Sequence, residues 1–221
     1  GSESQVVELL ETLWQTNTVS RQPLIEVLDS VASRVISGEV NKQPFADFAL
    51  RHLYPVDSRP EMDELRFLPG VIAAAAGKPE GLERIRVVAL GILKSLDQPT
   101  PQAITSPRLV RCLEALIAGK GKQLLPIVEA IVAQPSLTES QLMRILAALG
   151  RADDPRIAEL VLKNYANFSP VVQPVVIELL TQRDSWSEAL VRAVEAKTIS
   201  LQSVNVNQLR KLQSSKDAAF V

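Results

Sequence analysis

At 221 residues the chain is long enough for one well-cored domain or one unbroken solenoid, and its 24 basic against 25 acidic side chains leave a formal charge of −1. The two signs are interspersed, which excludes the basic footprint of a nucleic-acid binder or of a protein drawn to an anionic membrane. Cys112 is the single cysteine, which excludes an internal disulfide, a thiolate zinc cluster and a C-x-x-C-H haem attachment within these residues.

Apolar residues are plentiful and aromatics scarce, so Leu, Val, Ile and Ala must supply the core, a mixture suited to closely packed helices. No apolar run approaches the length of a membrane span, so direct membrane insertion is not expected. Gly1-Ser2 and the apolar end Ala218-Ala-Phe-Val221 read as marks of a fragment cut from a longer protein.

The spacing predicts a first helix over about 3–16, with Val6, Leu10, Leu13 and Trp14 on one face and Ser2 and Gln5 as its capping box. A second begins near Pro23, buries Leu24, Ile25, Leu28, Ala32, Val35 and Ile36, and ends at Gly38. A shorter one over 43–53 presents Phe45, Phe48 and Leu53, and Tyr54 to Pro60 is expected as a loop. Residues 60–76 read as helix broken at Pro69-Gly70 and closed by Gly77-Lys-Pro79. After a helix at 80–96, the unpatterned stretch 97–106 is the place expected for a hinge in an otherwise single domain of 1–221.

Further helices are expected at about 107–118, 122–134, 138–150, 155–167, 170–182 and 185–197, three of them opened by Ser106-Pro107, Asp154-Pro155 and Ser169-Pro170. The run Pro170-Val-Val-Gln-Pro-Val-Val-Ile is β-branched enough for a strand, but no second strand candidate exists to pair with it. Its register repeats in Leu124-Leu-Pro-Ile-Val, with Pro126 matching Pro174, so it is read as a helix kinked or started at its proline. A last short helix with Val206, Leu209 and Leu212 should cap the final pair.

One helical phrase is written three times: Leu109-Val-Arg-Cys-Leu-Glu-Ala-Leu116, Leu142-Met-Arg-Ile-Leu-Ala-Ala-Leu149 and Leu190-Val-Arg-Ala-Val-Glu-Ala-Lys197. The first two copies lie 33 residues apart and the last two 48. At roughly 16 residues per helix with its turn, these are gaps of two and three helices, as in a helical solenoid. The reading is therefore an all-α, right-handed α-α superhelix of HEAT or armadillo type.

Little in the chain carries reactive chemistry. His52 is the only histidine and has no nucleophile near it in sequence, so it reads as a boundary residue, not as a base or metal ligand. Glu61, Asp63 and Glu64 complement a helix dipole, and Asp153 and Asp154 read as a cap. Gly119-Lys-Gly-Lys122 precedes a helix, but no strand precedes it, so it reads as a turn and not a phosphate loop. Trp14 and Trp186 are expected in the core. Arg111, Arg144 and Arg192 hold the same slot in the phrase and are the tentative binding residues, one basic stripe if the slots align, otherwise ordinary solvated surface. No catalytic, cofactor or metal residue is assigned.

The phrase spacing resembles HEAT-like repeats. More narrowly, Val171 to Trp186, then Ala189-Leu190, Ala193-Val194, Ile199 and Gln208 to Leu212, resemble the helical region preceding the c-type haem domain in Planctomycetes-type multidomain membrane-bound dehydrogenases. That family's C-x-x-C-H segment and propeller have no counterpart in these residues, so no haem or catalytic position carries over. The resemblance implies a non-catalytic scaffold or spacer between redox modules of an exported protein, touching protein or neighbouring domains of its own chain. The alternative of a DNA-binding enzyme resembling the HEAT-like alkylpurine glycosylases needs a basic track and more aromatic side chains than this sequence supplies.

Overall fold

A computed structural model describes residues 2–16, 21–53, 64–96, 105–210 and 212, and among these every regular element is a helix. The chain gathers into two compact units, residues 1–127 and 128–221, whose boundary falls inside a helix. Residues 97–104 lie outside the described part, as do the 54–60 loop, Glu61 and Asp63.

The first unit holds α1 (Ser2–Gln15), α2 (Gln22–Ser37), α3 (Lys42–Arg51), α4 (Glu64–Ala75), α5 (Pro79–Ser95), α6 (Thr105–Ala118) and the start of α7 (Leu124–Val132). Its centre is α4, which packs against α2, α3, α5 and α6 and buries ten of its twelve residues. The expected break at Pro69-Gly70 does not occur, since both lie inside α4. Proline inside a helix costs about 3 kcal/mol, but burial on every side returns more than that. Fully burying one Leu or Ile side chain is worth about 1.5–3 kcal/mol, and Phe67, Leu68, Val71 and Ile72 are all buried here.

Small residues let the neighbours of α4 come close. A Cβ on Gly81 would sit on the backbone of Ala73 and Ala74, so α5 can approach α4 this tightly only with glycine there. At the end of α4, Gly77 takes φ +77° and the amides of Gly77 and Lys78 donate to the carbonyls of Ala74 and Ala73. The Gly77-Lys-Pro79 stop expected from sequence is realised, with Pro79 opening α5. Lys42 donates its ammonium to the carbonyls of Ala75 at 2.9 Å and Ala118 at 3.4 Å. A cation there meets the negative ends of α4 and α6 together.

The second unit holds the rest of α7, then α8 (Glu139–Leu149), α9 (Pro155–Lys163), α10 (Gln173–Leu180) and α11 (Asp184–Glu195), with 3-10 turns at Tyr165–Asn167 and Leu201–Ser203 and a helical segment at 206–210. Here α8 packs on α10, α9 on α11, and α10 on α11. Thr138 and Gln141 form a reciprocal capping box at α8, and the Asp154 carboxylate accepts from the Arg156 amide at the start of α9.

Two expected starts shift. Helix α10 begins at Gln173 and not at Pro170, because residues 170–172 form a turn and Pro174 takes the first helical turn. Helix α6 begins at Thr105, which puts Ser106 and Pro107 inside its first turn. A proline in the first turn gives up only an amide that has no intrahelical acceptor, so Pro126 in α7 and Pro174 in α10 both start helices at little cost.

Candidate functional site

The repeated phrase is first a packing phrase. In α6, Leu109, Cys112, Leu113, Ala115 and Leu116 are buried, and in α8 the slots 33 residues on, Ile145, Leu146, Ala148 and Leu149, are buried too. In α11 the register holds only at its start. Leu190 is buried, Ala193 and Val194 are half-exposed, and Ala196 and Lys197 are exposed.

Of these slots Val194 borders an apolar hollow of about 180 Å³. Val191 and Val194 of α11 form one side, Leu201, Val204, Leu209 and Leu212 the other, and Glu195 lies at the edge. Leu201 is 58% exposed and Val206 64%, so apolar surface continues outside the hollow. The expectation that Val206, Leu209 and Leu212 together cap the last pair is met by Leu212, which is buried, while Val206 faces water.

The three arginines have different surroundings. In the first unit, Arg111 reaches from α6 to α2, donating to the Asp29 carboxylate at 2.6 Å, the Asp29 carbonyl at 3.2 Å and Ser33 Oγ at 2.9 Å. That guanidinium ties two helices. In the second unit, Arg144 is exposed on α8 and Arg192 is exposed on α11, 3.8 Å from Glu188 one turn earlier. Helix α8 packs on α10, and α11 packs on α9 and α10.

His52 closes α3 within a polar and aromatic cluster. Its Nε2 lies 3.0 Å from one oxygen of Glu11, and Arg51 donates to the other at 3.1 and 2.6 Å. The imidazole is flanked by Trp14 and Phe48, with ring centroids 4.2 and 4.6 Å away. Burial pushes the Glu11 carboxyl upward, but hydrogen bonds from Arg51 and His52, helped by their charges, hold it below the usual carboxylate range. The cluster fastens α1 onto α3 through Glu11 and Trp14, and among the described residues no serine or cysteine is bonded to its members.

Two further titratable residues lie in packed surroundings. Glu64 accepts from Arg108 at 3.1 and 2.6 Å, and that guanidinium also lies over the Phe67 ring. Cys112 is fully buried, which pushes its thiol far above its ordinary pKa and keeps it unreactive. Gly119 to Lys122 make the turn between α6 and α7. Among the described residues no group of three His, Cys, Asp or Glu is placed to hold a metal ion, and no helix is long and apolar enough to cross a membrane.

Arg183 and Trp186, at the start of α11, reach back to residues near the end of α8 and the start of α9. Arg183 donates to the Gly150 carbonyl, 33 residues earlier, at 3.2 Å, and lies 3.6 Å from Asp153 and 5.6 Å from the centre of the Trp186 ring. Trp186 is fully buried and donates its indole N–H to the Asp154 carbonyl, 32 residues earlier, at 3.1 Å. Sequence reading placed Trp186 in the core but missed this tie, because its acceptors are backbone carbonyls that carry no residue signature. No family model, curated protein or solved structure matches this chain.

Proposed function

We propose that the chain is a helical-repeat scaffold of HEAT or armadillo type, stacking antiparallel helix pairs in the right-handed sense within each unit and acting without catalysis to hold protein modules together. The observation offered for this reading is the separation of three long-range ties. Arg183 to Gly150 and Lys42 to Ala75 each span 33 residues, and Trp186 to Asp154 spans 32. The same 33 residues separate the first two copies of the phrase. Stacked repeats bring residues about one repeat apart into contact, and such stacks serve as extended binding surfaces.

The apolar hollow beside α11 supports a contact role, because the phrase slot buried as Leu113 in α6 and Leu146 in α8 is half-exposed there as Val194. Arg144 and Arg192 offer charged, exposed contacts on the same unit. In line with the family resemblance, the partners are protein modules carried in the same polypeptide, with redox domains of an exported protein the first to try.

The test is association. The purified chain is mixed with separately produced neighbouring modules of its full-length product, and sedimentation reads complex formation. Binding that weakens at least tenfold in Val194→Asp or Leu209→Asp, with helix content unchanged, supports the proposal. Failure to associate up to the solubility limit overturns it, as does release of an alkylated purine from DNA by the chain itself.

A further inference from the structure

We draw no further inference here: the strongest candidate, the apolar hollow between α11 and the last described helical segment, is an unpartnered face already used above, and nothing in the structure shows what covers it.

Discussion

In the first unit one helix is enclosed by four others, and its neighbours come close because glycine and alanine line the contact. In the second, α10 packs on α8 and α11 while α11 packs also on α9, and a buried indole and a guanidinium tie the start of α11 to the carbonyls of Asp154 and Gly150. Enclosure makes α4 sensitive to added volume, since overpacking moves backbone. Tying makes α9 to α11 sensitive to lost side chains. The units also carry one tryptophan each, Trp14 and Trp186, so their responses can be separated.

The sharpest break comes from Trp186→Ala. Truncating a fully buried aromatic costs about 3–5 kcal/mol, and here the Asp154 carbonyl also loses its donor. The helical signal from the second unit should melt early while Trp14 fluorescence keeps its original midpoint. A Trp14 transition that moves by the same amount would mean that the two units unfold as one body.

The converse test is Gly81→Ala. Helix propensity alone would favour the substitution, yet the new methyl meets the backbone of Ala73 and Ala74. Overpacking of this kind costs about 1–3 kcal/mol. Hydrogen exchange should quicken in α4 and α5 and stay unchanged in α9 to α11. Slower exchange in α4 would show that α5 can slide away without loss.

Arg183→Ala removes one hydrogen bond to a carbonyl and a cation resting on the Trp186 ring, a loss of about 1–2 kcal/mol. Arg183→Lys should recover little of it, because an ammonium cannot lie flat on the indole while reaching the Gly150 carbonyl. The urea midpoint of the second unit, read by Trp186 emission, checks both. Equal midpoints for Lys and Arg would reduce the tie to simple charge.

The parts of this contrast readable from sequence are those set by local chemistry. Apolar spacing placed the helices, Gly38 and Gly77 their ends, and Asp154-Pro155 the start of α9. Thr138-x-x-Gln141 was equally legible as a capping box and was passed over. What local chemistry does not encode is enclosure. Pro69-Gly70 looked like a break because the helix that crosses it is stabilised by α2, α3, α5 and α6, none adjacent to those residues in sequence except through loops. The candidate site follows the same rule. Arg111 looked like free surface until α2 brought Asp29 and Ser33 beneath it, and the hollow beside α11 joins residues of α11 to residues of 201–212 that no local pattern brings together.

The smallest expected effect concerns how α1 joins the first unit. Glu11 has a lower pKa folded than its ordinary value of 4.5, held down by Arg51 and His52. A group of that kind contributes stability that is present above its unfolded pKa and lost as pH falls through the folded value. Glu11→Gln should therefore destabilise α1 near neutral pH and make no difference once the medium is acid enough to protonate the wild-type carboxyl. The pair is largely solvent-screened, so the loss should stay under about 1 kcal/mol. Trp14 lies against His52 and reports the change directly, as a shift in emission between pH 7 and pH 3 that the variant lacks. If wild type and variant titrate alike, Leu10 and the Trp14–Phe48 contact hold α1 without the carboxylate, and the first unit owes its integrity to packing throughout.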